Sequence, residues 1–258
     1  MVGISEESVV RRLRAAGCVF AEDEARLLLA EAGTGAALGA LVDRRVAGEP
    51  LEHLLGWAEF GGLRIAVAPG VFVPRRRTEL LVEEAVGLAR RGAVVVDLCC
   101  GSGALGVAVA TAVDGVELHA ADVDPTAVAC ARSNVAELGG LAYDGDLYEA
   151  LPPALRGRVD LLLANVPYVP TDAIALMPPE ARLHEARVAL DGGADGLDVA
   201  RRVIAAAPEW LAPGGSLLFE TSEDQVPAAV ATVAAAGLRA RVVTDDERGA
   251  TVVVGTRR

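Results

Sequence analysis

The sequence has no lysine; all 24 of its basic residues are arginine. That excludes a Gly-rich phosphate loop ending in Gly-Lys, whose ammonium must reach the phosphates. Asparagine occurs only at Asn134 and Asn165, so each one carries more information than usual. Aromatic residues make up 3% of the chain, which leaves Ala, Val and Leu to build the core. A basic surplus is lacking as well. Residues 1–73 hold 7 Arg against 10 acids and the rest holds 17 against 26, giving the net charge of -12. Neither part offers the clustered cations on which generic nucleic-acid or anionic-membrane affinity rests. Cysteine is limited to Cys18, Cys99, Cys100 and Cys130. The adjacent pair has poor geometry for a bridge and no metal-ligand spacing, and His53, His119 and His184 are scattered, so no metal site is expected. No uncharged apolar run outside the Ala/Gly-rich helices reaches the ~18 residues that a membrane helix needs. The first residues lack the cation-then-apolar order of a secretory leader. A cytoplasmic protein with reduced thiols and no membrane partner is expected.

What is present is a globular pattern: 258 residues, 52% hydrophobic, too apolar for whole-chain disorder. Residues 5–47 read as short helices. Ser5 is a candidate N-cap, Glu6 and Glu7 suit the positive helix start, and Val9, Val10 and Leu13 recur at helical spacing. Glu22 to Ala32 and Ala36 to Val46 follow as second and third helices. Alternating Leu63, Ile65 and Val67, near Gly61-Gly62 and Pro69-Gly70, predict a β-hairpin within 57–73. From Thr78 onward, apolar strands alternate with helices. Strands are expected at 93–98, 116–121, 159–164 and 215–220, and helices at 78–90, 104–112, 125–138, 195–211 and 225–236. Two last strands, near 239–243 and 250–255, have no helix between them and should pair antiparallel. Strands without polar alternation fit a sheet covered on both faces, so a mainly parallel, doubly wound α/β sheet is expected.

Three segments carry chemistry. Asp97-Leu-Cys-Cys-Gly-Ser-Gly103 closes a strand and opens a helix. Its glycines let backbone approach a ligand, although such a turn is as often a mere connection. Asp122, nineteen residues after Gly103, ends the next strand, where doubly wound folds hold ribose hydroxyls; Asp124 suits the helix cap at Pro125 better. Together the two segments favour an adenosyl-type ligand. Asn165-Val-Pro-Tyr168 ends a further strand at the edge that faces the ligand crevice. Asn165 offers an acceptor and a donor, Pro167 biases Val166 toward extended backbone, and Tyr168 offers a flat face. The trio suits a planar amide or amino group. Cys99 and Cys100 read as small packing residues, because no His lies nearby in sequence. His184 reads as a solvated or rim residue. Glu220 ends a strand and would need a partner if buried.

The chain resembles the HemK/PrmC family of release-factor glutamine methyltransferases. The resemblance rests on Gly48-Glu-Pro-Leu-Glu-His-Leu-Leu-Gly-Trp-Ala-Glu-Phe60, Phe72-Val-Pro-Arg75 with Thr78-Glu-Leu-Leu-Val82, and the glycine loop after Asp97. It continues through Ala121-Asp122, Gly145-Asp146-Leu147, Asn165-Val-Pro-Tyr168, Glu185-Ala-Arg-Val-Ala-Leu-Asp-Gly-Gly-Ala-Asp-Gly-Leu197, and Leu211-Ala-Pro-Gly-Gly-Ser-Leu-Leu-Phe-Glu220 with Gln225. It implies a class I, Rossmann-like methyltransferase fold with a small all-α N-terminal domain (1–55) that recognises substrate, a β-hairpin linker (56–74) and a catalytic domain (75–258). The implied cofactor is S-adenosylmethionine, leaving as S-adenosylhomocysteine. The implied reaction methylates the side-chain nitrogen (N5) of glutamine in the Gly-Gly-Gln loop of class-1 peptide-chain release factors, by a monomeric enzyme.

The same resemblance implies site roles. Asn165, Val166, Pro167 and Tyr168 would be catalytic and, with Phe72 and Arg75, would bind substrate. Asp97, Cys99, Cys100, Gly101, Ser102, Gly103, Asp122, Val123, Asp146, Leu147 and Asn165 would line the cofactor, with Asp146 and Leu147 flanking adenine. Three departures stand out: Val166 for the first proline of Asn-Pro-Pro-Tyr, Cys99 for the first glycine of the loop, and Arg76-Arg77 where Pro-acid is usual. A positive φ at Cys99 would be strained. Competing readings are an amino-methyltransferase of nucleic acid, which the acidic charge opposes, a small-molecule or peptide methyltransferase, and a non-catalytic cofactor-binding or interaction module.

Overall fold

The computed structural model describes residues 5–33 and 35–258, so residues 1–4 of the expected helical unit lie outside it. Four helices come first: α1 (Glu6–Ala15), α2 (Ala21–Ala32), α3 (Ala36–Val46) and α4 (Leu51–Leu55). Ser5 caps α1 by accepting from the Ser8 amide at 3.3 Å, as its side chain predicts. Val9, Leu13, Leu28, Leu38 and Val42 bury their apolar stripes in one separate cluster. The helix α4, five residues after Pro50, is too short to show a periodicity and is absent from the sequence reading.

A hairpin follows, β1 (Trp57–Phe60) and β2 (Leu63–Ala66), turning at Gly61-Gly62. Pro69-Gly70 lies beyond it, so the expected hairpin is shorter than 57–73. The remaining elements are α5 (Glu79–Leu88), β3 (Val94–Leu98), α6 (Ala104–Ala112), β4 (Glu117–Asp122), α7 (Pro125–Ala136), β5 (Leu141–Asp144), β6 (Val159–Ala164), α8 (Pro179–His184), α9 (Asp198–Trp210), β7 (Leu211–Glu220), α10 (Val226–Ala235), β8 (Arg239–Asp245) and β9 (Ala250–Thr256). Asp124 caps α7 through the Thr126 amide at 2.8 Å, with Pro125 in the first turn.

The seven-stranded sheet runs β5-β4-β3-β6-β7-β9-β8. Strands β3 to β7 are parallel, and β8 and β9 are antiparallel, as expected from their lack of an intervening helix. Side-chain alternation splits the core in two. Val96, Leu98, Leu162, Ala164, Leu217 and Phe219 face α9 and α10, whereas Val95, Leu161, Leu163 and Leu218 face α5, α6 and α7. Burying each large side chain contributes roughly 1.5–3 kcal/mol, and the central strands β3 and β6 need cover on both faces, so they lack polar alternation, whereas the edge strands β5 and β8 are partly exposed. The chain travels outward from β3 to β5 and then returns to place β6 beside β3. That reversal opens a crevice between the carboxyl ends of β3 and β6, where ligands bind in such sheets.

Candidate active site

A cavity of about 290 Å³ occupies that crevice. Its walls include Phe72, Arg75, Cys99, Cys100, Gly101, Ser102, Asp122, Val123, Asp146, Leu147 and all of Asn165–Tyr168. The structure therefore brings together segments that are far apart in sequence. Two expected cofactor residues stand behind the wall instead. Asp97 is fully buried, with Oδ2 accepting the Gly106 amide at 3.0 Å and Oδ1 without a partner. Gly103 faces α7, where an added Cβ would meet that of Ala131 at 3.3 Å. Asn134, the other asparagine, is structural: it accepts from the Ala66 amide and donates to the carbonyls of Ala66 and Ser102, tying the hairpin to the glycine loop.

The loop after β3 is strained at the position the sequence singled out. Cys99 has φ +53°, and among the described residues the other non-glycine with positive φ is Leu147 at +50°. Both sit on the cavity wall, and an L-residue in that region costs on the order of 1 kcal/mol. Cys99→Gly is therefore expected to be about 1 kcal/mol more stable than Cys99→Ala, which keeps the strain. Denaturant unfolding of both variants checks this; equal stability would mean the loop relaxes. Burial, and then Asp122, pushes the Cys99 thiol well up. Burial and Asp97 do the same to Cys100, so neither is a ready nucleophile.

Burial first, and the nearby Asp122 carboxylate after it, drive Asp97 from 3.8 up to about 8 despite the Gly106 hydrogen bond. The folded value lies above the unfolded one, so Asp97 favours folding most below pH 3.8 and that contribution is lost as pH rises through about 8. Asp97→Asn should raise the Tm of the ligand-free protein by several degrees at pH 8.5 and far less at pH 4. An equal shift at both values would remove the carboxyl from this account. Asp122 is also raised, first by burial. Its Oδ2 accepts the Gly101 amide and its Oδ1 the Asp124 amide, each at 2.9 Å. A carboxylate has about four acceptor positions, so two remain for hydroxyls in the cavity.

The Asn165–Tyr168 turn is held from behind. The Gln225 Nε2 donates to the carbonyls of Tyr168 and Asp195, each at 2.9 Å. Its Oε1 accepts from Thr221 Oγ1 at 2.8 Å and the Ser222 amide at 3.1 Å, so all four amide valences are used. Gly192 permits the block after Glu185 to come this close: an added Cβ would meet the Pro167 carbonyl at 2.7 Å. The Val169 amide donates to the Leu190 carbonyl and the Gly192 amide to the Val169 carbonyl. Arg75, expected to bind substrate, lines the cavity with its guanidinium paired to buried Glu185 of the same chain at 2.5 Å and 4.9 Å over the Phe72 ring. Sequence reasoning missed Arg77, Met177, Val199 and Arg202, which also line the cavity. Val199 and Arg202 share one face of the first turns of α9, a spacing visible only once that helix is placed. Arg202 pairs with Asp146 at 2.6 Å.

Residues 62–195 match the family model described as a methyltransferase small domain. The release factor glutamine methyltransferase of Geobacter sulfurreducens is 39% identical over 86% of this chain and 78% of its own length. That of Gloeobacter violaceus is 43% identical over 76% of this chain and 70% of its own. This chain belongs to the release factor glutamine methyltransferase family. It is an S-adenosylmethionine-dependent methyltransferase of class I fold. A Pyrococcus furiosus methyltransferase shares that fold, with a TM-score of 0.58 at 15% identity over 76% of this chain and 89% of the other.

The residues present suit that cofactor. The largely buried Asp122 keeps acceptor positions for two ribose hydroxyls, the apolar Leu147 and Val123 offer faces to a flat base, and the glycine loop leaves backbone room beside Asn165. Among the described residues no helix is long and apolar enough to cross a membrane, and no cluster of His, Cys, Asp and Glu could hold a metal.

Proposed function

We propose that this enzyme methylates the N5 nitrogen of the glutamine in the Gly-Gly-Gln loop of class-1 release factors. The observation that carries the reading is the Asn165-Val-Pro-Tyr168 turn, lining the same cavity as Asp122 at the carboxyl edge of the sheet. An amide nitrogen is a weak nucleophile, because its lone pair is delocalised into the carbonyl. When bound, S-adenosylmethionine supplies a methyl group on a cationic sulfur. The Asn165 Oδ1 and the Val166 carbonyl accept the two N–H bonds of the glutamine amide, so that its lone pair faces that methyl. Tyr168 and Phe72 pack against the flat amide and exclude water. Asp122 takes the ribose hydroxyls, Asp146 and Leu147 flank the adenine, and Cys100 to Gly103 face the methionine portion. Rate enhancement would come from placement and fixed dipoles: the N–CH3 bond forms as the S–CH3 bond breaks, the sulfur keeps the electron pair and leaves as the neutral thioether of S-adenosylhomocysteine, and the extra proton then passes from nitrogen to water.

The helices within 1–55 form the surface that recognises the protein substrate, 56–74 links them to the catalytic part 75–258, and the enzyme works as a cytoplasmic monomer. The separate apolar cluster of α1–α4 supports this division. The experiment is labelled methyl transfer to a release factor and to its Gln→Ala loop variant. Label is expected on the first alone; equal label on both rejects glutamine as the target.

A further inference from the structure

At the cavity side of the sheet a buried carboxylate, a phenol and a guanidinium meet. Glu220, at the end of β7, is 2% exposed. Its Oε1 accepts from the Tyr168 hydroxyl at 2.6 Å and from Arg77 Nε at 3.0 Å, and its Oε2 is buried without a partner. Arg77 Nη2 donates to the Tyr168 hydroxyl at 2.7 Å. That hydroxyl thus gives one hydrogen bond and takes one, which leaves it a single orientation. The three residues come from the segment before α5, the turn after β6 and the end of β7. A buried carboxylate held by one cation is sensitive to that cation's loss, because the remaining charge is left uncompensated. The Arg77 side chain itself is 45% exposed, so it can be replaced without opening the core.

We infer that Arg77, bonded to the Tyr168 hydroxyl both directly and through Glu220, is a positioning residue for the Tyr168 ring. The inference rests on the proposed role of that ring as a wall for the substrate amide. The Gln225 amide fixes the Tyr168 main chain, and the Arg77–Glu220 pair fixes the far end of its side chain, so the ring is held at both ends. Arg77 needs no contact with either reactant. Loss of the guanidinium lets the phenol swing while leaving the cofactor site intact.

The test is a double-mutant cycle of Arg77→Gln, Tyr168→Phe and the pair, read by kcat, KM for the release factor and cofactor Kd. A small displacement of a positioning group costs on the order of tenfold in kcat, and that loss is expected in Arg77→Gln with KM and Kd within about twofold. The double variant should be no slower than Tyr168→Phe alone. Multiplying losses, or a raised KM with kcat intact, overturn the inference; the latter would make Arg77 a substrate contact. The chain's three tyrosines, Tyr143, Tyr148 and Tyr168, allow a second readout by ring-labelled NMR. Arg77→Gln should move or broaden the Tyr168 ring signals and leave the other two; unchanged Tyr168 signals overturn the inference. If the wild-type enzyme transfers no methyl to a release factor, the functional reading fails, while the ring signals still decide the positioning.

Discussion

Asn165→Ala is expected to bind S-adenosylmethionine within about threefold of wild type and to turn over about a thousandfold more slowly, the scale of losing one preorganised polar group at a reacting centre. Asn165 stands at the end of β6, one residue beyond the buried Ala164, so its truncation removes no core volume. In the proposed scheme, what disappears is the side-chain acceptor for one of the two N–H bonds of the target amide. The Val166 carbonyl remains, but one acceptor leaves the nitrogen free to rotate its lone pair away. Asn165→Asp keeps an oxygen in place and should lose less than Asn165→Ala. Calorimetry with the cofactor and single-turnover labelling separate binding from chemistry. Wild-type turnover in Asn165→Ala would sink the two-acceptor scheme.

Asp122→Ala should act on the other half of the reaction. Two hydrogen bonds from hydroxyls to a charged acceptor are each worth roughly 1.5–3 kcal/mol, so cofactor affinity should fall by about a hundredfold or more. The Gly101 and Asp124 amides lose their acceptor too, which loosens the loop that lines the cavity. Turnover at saturating cofactor should change far less than affinity. Burial holds the Asp122 carboxyl above its usual range, so cofactor affinity should strengthen with rising pH as the carboxyl ionises, and Asp122→Asn should flatten that dependence. An unchanged Kd in Asp122→Ala would place the ribose elsewhere.

The order of strands and helices from Thr78 onward is legible in the sequence, because strands covered on both faces are uniformly apolar and the helices between them are bounded by Gly, Pro and Asp124. The motif positions Asn165–Tyr168 and Asp122 fall on the cavity for the same reason: both end strands. The strand β5 is missed because Leu141–Asp144 is a four-residue edge strand whose side chains are half-buried or exposed, with no apolar run to announce it. The helices α4 and α8 span five and six residues, less than two turns, and show no period. Pairings over long sequence distance leave no local trace. Arg77 and Glu220 are 143 residues apart, and Gln225 and Tyr168 are 57 apart, so the network around the tyrosine emerges only when the sheet edge is assembled. Cys99 is the intermediate case. Its replacement of a glycine raises the question of a positive φ, and the fold answers that the backbone keeps the glycine's conformation with the thiol in place.

Gln225 is the sole glutamine of the chain. Its nitrogen spends both hydrogens on carbonyls of the same molecule and lies at the rear of the turn that would grip a target. The enzyme thus carries no accessible copy of its own acceptor group. Methylation of its own glutamine is disfavoured, so label found on the purified protein would report a different acceptor or a bound partner.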